Sequence, residues 1–146
     1  MNTRRQILTR SVGLAGALWL RPAGAAADDL AAAVAAFAGG VPVRVGRVVL
    51  DVAPLVENGN AVPITVSVQS PMNAADHVKA IAIFNERNPQ RDVAVFRLGP
   101  RAGRATVSTR IRLATSQQLV AVAQMSDGSC WTHTVDVIVT LAACIE

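Results

Sequence analysis

Tyrosine is absent from this 146-residue chain, and other aromatic residues are scarce. There are three phenylalanines and two tryptophans, and Trp19 lies in an N-terminal segment that we predict is removed. Proteins often bind bases by stacking them on aromatic side chains. A chain with so few aromatic rings has little material for a stacking surface for bases or sugars.

Motifs for independent catalysis are also missing. The sequence contains no G-x-S-x-G turn for a nucleophilic serine, no G-x-G-x-x-G and no phosphate-binding loop. His77 and His133 are the only histidines, and no C-x-x-C or H-x-x-x-H spacing is present. His133 lies on the apolar face of a predicted strand and is interpreted as a core residue rather than a ligand. We therefore predict a protein that is not an enzyme and that has no metal or other cofactor.

The N-terminus has the layout of a cleaved export signal. Arg4 and Arg5 form a twin-arginine pair, an apolar run covers residues 11–20, and small residues fill 23–27. The apolar run is too short for a bilayer span, which needs roughly 20 residues. We predict a twin-arginine signal peptide over residues 1–27 and a single periplasmic domain over residues 28–146. An uncleaved anchor is the alternative.

The basic charge of the chain belongs to the predicted signal. The whole chain has 14 basic and 10 acidic residues, for a formal net charge of +4. Removing the four arginines of the signal, which contains no acid, leaves ten residues of each sign. A neutral domain gives no support for binding nucleic acid or a membrane surface, so neither is predicted as a partner. One local group of arginines is interpreted as a solvated strand face and loop rather than an anion site: Arg97, Arg101, Arg104, Arg110 and Arg112.

Apolar and polar residues alternate through much of the chain after Pro42. In residues 62–68 the apolar positions recur with a period of two, which is typical of a strand with one buried face. About seven such runs are separated by turns rich in Gly, Pro, Asn and Asp, including residues 57–60 and 88–91. The run over 78–84 is apolar throughout, as expected for a central strand. This pattern predicts an all-β fold, an immunoglobulin-like antiparallel β-sandwich, with a small barrel as the alternative. The predicted strands are 43–50, 62–68, 78–84, 93–98, 105–113, 119–125 and 131–141.

One short helix is predicted before the strands, over residues 30–38. Asp28 and Asp29 are placed to cap its N-terminus, and Gly39 and Gly40 are placed to end it. In the last predicted strand, alternate residues are expected to share one face: Trp131, His133, Val135, Val137, Val139 and Leu141.

Two cysteines flank that last strand. A strand over residues 131–141 separates its ends by roughly 35 Å, whereas a disulfide needs Cα atoms within roughly 7 Å. A bridge between Cys130 and Cys144 is therefore not expected, and Cys130 is interpreted as a small buried apolar residue. Cys144 is the third residue from the end, and we expect an accessible thiol on a mobile tail. Such a thiol can attack sulfur electrophiles.

Several segments, taken in order, resemble the SoxY family. They are residues 46–50, 56–63, 70–72, 84–89, 108–114 and 122–128, followed by a cysteine third from the end. The resemblance covers nearly all of the predicted mature chain. It implies an immunoglobulin-like sulfur carrier that pairs with a SoxZ subunit and performs no catalysis itself. It also implies that a thiosulfate-coupling c-type cytochrome loads the thiol of Cys144 and that a hydrolase then releases sulfate.

The C-terminal tail departs from the pattern of that family. SoxY proteins normally end in Gly-Gly-Cys-Gly-Gly, whereas this chain ends in Ala142-Ala143-Cys144-Ile145-Glu146. Alanine is stiffer than glycine, and the negative charge of Glu146 repels a thiosulfate dianion. Two functions are therefore compatible with the sequence. The first is a covalent sulfur carrier that uses Cys144, and the second is a periplasmic interaction module that has lost sulfur carriage.

Overall fold

A computed structural model describes residues 24–143 as two β-sheets packed face to face, with one helix on the outer face of the larger sheet. Most of the predicted export signal, residues 1–23, lies outside the described residues, as do Cys144, Ile145 and Glu146. No helix in the described part of the chain is long and apolar enough to cross a membrane.

Residues 24–143 contain one helix and nine strands. In chain order these are α1 (Gly24–Ala38), β1 (Val43–Val45), β2 (Val48–Asp51), β3 (Leu55–Val56), β4 (Val62–Val68), β5 (Val78–Asn85), β6 (Asp92–Arg97), β7 (Ala105–Ile111), β8 (Gln117–Met125) and β9 (Cys130–Val139). The larger sheet has the order β1-β9-β8-β5-β6, with β3 also paired to β9, and the smaller sheet has the order β2-β4-β7. The short strands β1 and β3 run parallel to β9, and the other pairs are antiparallel. The predicted immunoglobulin-like β-sandwich is confirmed.

The first predicted strand, residues 43–50, is divided into two strands that belong to different sheets. Gly46 (φ 132°) and Arg47 (φ 57°) turn the chain between them. β1 pairs with β9 in the larger sheet, and β2 pairs with β4 in the smaller one. The valines continue across this corner, so the sequence pattern gave no sign of the division. This corner and the short strand β3 explain why there are nine strands and not about seven.

The core between the sheets consists of aliphatic side chains. On β4, Val62, Ile64 and Val66 point inward while Pro63 is exposed, as the alternation predicted. β5 is buried along almost its whole length, because the other sheet covers one of its faces and α1 packs near the other. The prediction of a central strand in this part of the sequence is therefore confirmed.

Helix α1 covers Gly24–Ala38, so it includes residues before the predicted start at residue 30. The aspartates at 28–29 lie inside the helix and do not cap it, because the alanines before them are strong helix formers. The predicted end is confirmed, since Gly39 (φ 64°) and Gly40 (φ 82°) adopt the left-handed conformation that ends helices. The predicted cleavage point after Ala27 falls within α1, and cleavage there stays a prediction.

The helix packs on the larger sheet through a few apolar contacts. Leu30 and Ala38 are buried, and the ring of Phe37 meets the ring of Phe84 edge-on at a centroid distance of 5.9 Å. The side-chain amide of Gln124 donates a 2.6 Å hydrogen bond to the carbonyl oxygen of Phe37. The helix therefore covers part of the sheet and forms a second, smaller core there.

Candidate functional site

The predicted attachment residue, Cys144, lies outside the described residues, but the four residues that lead to it, 140–143, are described. They follow directly after β9. The positions of these four residues determine where the predicted carrier thiol leaves the domain.

The tail leaves the strand ladder at Thr140. Its N–H donates to the carbonyl oxygen of Val56 at 3.0 Å, and its hydroxyl donates to the carbonyl oxygen of Glu57 at 3.2 Å. Leu141 was predicted to continue the apolar face of the last strand. That prediction is wrong, because β9 ends at Val139 and the side chain of Leu141 is 61% exposed.

Backbone hydrogen bonds continue to the last described residue. The N–H of Gly59 donates to the carbonyl oxygen of Leu141 at 2.8 Å, and the N–H of Ala143 donates to that of Leu113 at 3.1 Å. Leu113 in turn donates to the carbonyl oxygen of Gly59 at 2.9 Å, so three segments are joined. Ala143 is buried. Residues 141–143 therefore lie against the domain in this structure, and mobility of the tail stays a prediction. We call Val56, Gly59 and Leu113 the tail seat.

A local turn places Gly59 in the tail seat. The side-chain oxygen of Asn58 accepts hydrogen bonds from the backbone N–H of Asn60 at 2.9 Å and from the side-chain amide of Asn60 at 3.0 Å. Asparagine often stabilises turns in this way. The sequence predicted a turn over these residues, but it gave no sign that the turn receives the C-terminal tail.

The other side of the tail seat is held by Asn88. Its amide nitrogen donates to the carbonyl oxygen of Arg112 at 2.8 Å, and its amide oxygen accepts from the N–H of Ala114 at 3.0 Å. Both neighbours of Leu113 are therefore fixed by one side chain, and the Leu113 carbonyl is held in place for the tail. Sequence reasoning identified Asn88 only as part of a turn.

Cys130 is buried, as predicted. Its side chain is 2% exposed and lies in the second core beneath α1. Burial raises the pKa of the Cys130 thiol, and the nearby carboxylate of Asp127 raises it further. β9 is unbroken from Cys130 to Val139, so the two ends of the strand lie far apart, as the prediction of no bridge to Cys144 requires. The bridge itself involves a residue outside the described ones.

His133 is half-buried and has a hydrogen-bond partner in the core region. Its Nδ1 accepts the N–H of Leu50 at 2.9 Å, so this nitrogen is already used inside the fold. Nδ1 of His77 lies 3.1 Å from the carbonyl oxygen of Asn73. In residues 24–143, no group of three or more His, Cys, Asp or Glu side chains lies together as a metal site would require.

The predicted cluster of arginines is a solvated surface. All five of its members are exposed, in agreement with the interpretation from sequence. The ion pairs within the described part of the chain involve other arginines, namely Arg47 with Asp76, Arg87 with Glu86 and Arg91 with Asp29.

The fold and the tail together define a class of protein, an immunoglobulin-like β-sandwich whose last strand leads directly to a cysteine near the C-terminus. The family model described as "Sulfur oxidation protein SoxY" matches residues 34–144. The chain therefore belongs to the SoxY family, and the resemblance found in the sequence is confirmed. The matched range ends at Cys144.

Solved structures agree with this assignment. The sulfur carrier protein SoxY from Chlorobium limicola f thiosulfatophilum is 32% identical, with a TM-score of 0.67, and the match covers 79% of this chain and 99% of that one. Superoxide reductase (neelaredoxin) from Ignicoccus hospitalis is 18% identical, with a TM-score of 0.57 over 64% of this chain and 80% of that one. At that identity the likeness shows the fold alone. We find no match among curated protein sequences.

Proposed function

We propose that this chain is a covalent carrier of sulfur intermediates in thiosulfate oxidation and that Cys144 is the attachment point. The observation that carries the proposal is the contrast between its two cysteines. Cys130 is closed off beneath α1 and its pKa is raised, so it is a poor nucleophile. The other cysteine follows Ala143 at the edge of the domain, and the family match extends to it. The relative from Chlorobium limicola f thiosulfatophilum is itself described as a sulfur carrier.

The chemistry that we propose for Cys144 has two steps. In the first, the thiol and thiosulfate form a sulfur–sulfur bond, giving a cysteine S-thiosulfonate and one proton. The two electrons released pass to a c-type cytochrome partner. In the second, water attacks the terminal sulfonate sulfur, sulfate and a proton leave, and a persulfide remains on Cys144. Both steps are catalysed by partner enzymes, so the carrier supplies the thiol and its presentation but no catalytic group.

Partners and location belong to the same proposal. Family membership supports a SoxZ-like subunit as the partner in a heterodimer. The proposed enzymes are the thiosulfate-coupling cytochrome and a sulfate-releasing hydrolase. We propose that the protein works in the periplasm after export by the twin-arginine route, which the Arg4–Arg5 pair and the apolar run after it support.

A second function is favoured by one observation in the tail. Residues up to Ala143 are held by backbone hydrogen bonds, and alanines occupy the positions where the family normally has glycines before the cysteine. A tail held in this way suits a protein that keeps its fold and its partner interface but no longer carries sulfur. This interaction module is the alternative that the experiment below must separate from a carrier.

The test is intact-protein mass spectrometry on protein purified from its native host during growth on thiosulfate, with and without reductant. A carrier shows reductant-labile additions of sulfane sulfur or thiosulfate that map to Cys144. They disappear in Cys144→Ser. Cys130→Ala is the matched control, because it removes the other thiol and should leave the additions in place.

The two functions predict opposite results. If the protein is an interaction module, Cys144 stays an unmodified thiol. A host strain that carries Cys144→Ser then grows on thiosulfate as well as the strain with the unmutated protein. Additions that map to Cys130 rather than Cys144 would contradict the assignment of the attachment point.

A further inference from the structure

Gly59 allows the tail to lie closer to the domain than any residue with a side chain could. A Cβ atom placed on Gly59 would lie 2.4 Å from the carbonyl oxygen of Leu113, 3.0 Å from the nitrogen of Ala143 and 3.1 Å from Cγ1 of Val139. The first contact is far below van der Waals distance and involves backbone, which cannot move aside as the end of a flexible side chain can. The glycine therefore permits a close approach of three backbone segments.

Backbone conformation gives no other reason for a glycine here. Gly59 is not among the glycines with positive φ, in contrast to Gly103 and Gly128, which lie in turns. Alanine could therefore adopt the backbone angles of Gly59 but could not fit in the space. The glycine is needed because two backbone segments lie against it, the Leu113 carbonyl that accepts the N–H of Ala143 and the tail itself at Ala143.

We propose that Gly59 is a positioning residue for the Cys144 thiol, because it allows the tail to occupy the tail seat. The thiol moves away from the domain only when the tail is released. This inference rests on the proposed carrier function. With the tail in its seat, Cys144 is one Cα–Cα step of about 3.8 Å from the buried Ala143. After release, Cys144 is five Cα–Cα steps from the end of β9 at Val139, a reach of roughly 17 Å.

The contacts in the seat are of a kind that can open and close. Leu141 and Ala142 are exposed, so release uncovers little apolar surface beyond the small side chain of Ala143. The tail is held mainly by backbone hydrogen bonds at the edge of the domain, which are exchanged for bonds to water on release. Segments of this kind open locally at much lower free energy than the whole fold. A partner enzyme with a recessed active site therefore has to bind the released tail.

The first test compares Gly59→Ala with Gly99→Ala. A Cβ on Gly99 meets no atom within 4 Å, and its φ is not in the positive range that favours glycine, so it is a matched control. Amide hydrogen exchange is measured on the unloaded protein. We expect exchange at Ala143 and at residue 59 to be about tenfold faster in Gly59→Ala, since one to two hydrogen bonds are lost. Gly99→Ala should leave both rates unchanged.

A second pair of variants approaches the seat from the tail and does not depend on Gly59→Ala being folded. Ala143→Pro removes the N–H that donates to Leu113, whereas Ala142→Pro removes an N–H that has no hydrogen-bond partner in the described part of the chain. We expect faster amide exchange at Gly59 in Ala143→Pro but not in Ala142→Pro. Because both changes open one seat, adding Ala143→Pro to Gly59→Ala should have little further effect on exchange.

The position of the Cys144 thiol is inferred from its rates of alkylation by two reagents that share one reactive group but differ in size. N-ethylmaleimide is small, and a maleimide on a long polyethylene glycol chain is bulky. Release should increase the rate of the bulky reagent at Cys144 relative to the small one, in variants that remain folded. These measurements require no sulfur loading, so a failed carrier function and a failed seat are distinguishable.

Two results would overturn the proposal. One is that the amide of Ala143 in the unmutated protein exchanges as fast as in an unstructured peptide. The other is that Gly59→Ala and Ala143→Pro, when folded, give the same exchange rates and the same reagent ratio as their controls.

Discussion

The backbone N–H of Leu50 donates a hydrogen bond to Nδ1 of His133 across 2.9 Å, and the two residues belong to different sheets. Leu50 lies on β2, an edge strand that pairs only with β4 in its own sheet. The imidazole therefore satisfies an N–H that no strand pairs with on that side, and it links the two sheets.

Replacing His133 with leucine removes this acceptor. We expect His133→Leu to lower the free energy of unfolding by about 1–3 kcal/mol, the cost of leaving a partly buried donor without a partner. His77→Leu is the matched control, and it should change stability by less than about 0.5 kcal/mol. Urea unfolding of the two variants measures the difference, and equal effects would contradict the role assigned to His133.

The buried thiol of Cys130 predicts how stability depends on alkaline pH. Its pKa is raised in the folded protein, so folding favours the neutral thiol. The resulting stabilisation is fully present below the unfolded-state pKa of about 8.5 and is lost as pH rises through the folded pKa. Cys130→Ala should therefore lose less stability than the unmutated protein between neutral and alkaline pH. Denaturant unfolding of both proteins across this pH range gives the free energy of unfolding at each pH. Identical slopes of this free energy against pH would contradict the prediction.

The contact between Phe37 and Phe84 predicts that helix α1 protects Cys130. Phe37→Ala removes a half-buried ring from the second core and should cost about 2–3 kcal/mol. It should also speed alkylation of Cys130 by N-ethylmaleimide, mapped by mass spectrometry, while the rate at Cys144 stays the same. Ala32→Ser, on the exposed side of the helix, is the control and should leave both rates unchanged.

The corner at Gly46 should tolerate substitution poorly. Its φ is 132°, and a Cβ there would lie 3.4 Å from the ring of Trp131. Gly46→Ala should therefore cost about 1–3 kcal/mol through backbone strain, and Gly99→Ala should cost much less. Thermal unfolding compares the two. Equal melting temperatures would indicate that the turn between β1 and β2 relaxes without strain.

The sequence predicted the strands of the sandwich well wherever a strand is buried on one face only. Val62, Ile64 and Val66 alternate with outward residues, and the structure repeats that pattern. The corner at Gly46 and Arg47 was missed because valines on both sides continue the alternation while the strands change sheets. The helix start was misplaced because alanines before Asp28 extend the helix past a good capping residue.

The candidate site was only partly predictable. The burial of Cys130 followed from its position at the start of the last strand, whereas the role of Cys144 as the attachment point stays a prediction. The tail seat did not follow, because it is made by backbone hydrogen bonds, and any residue except proline can make these. Gly59 was the one available signal, and it was interpreted as an ordinary turn glycine.

β9 has consequences for the order in which the protein is made and folds. Among the described strands it is synthesised last, yet β1, β3 and β8 all pair with it, and Val43 of β1 lies opposite Cys130. Pairings between residues so far apart in sequence form slowly, because a long loop has to close first. The larger sheet stays incomplete during translation until β9 has been synthesised, because three of its strands pair with β9. Cys144 is added only after every strand of the sandwich has been made, so the nascent chain carries no tail thiol while its sheets are still missing a strand.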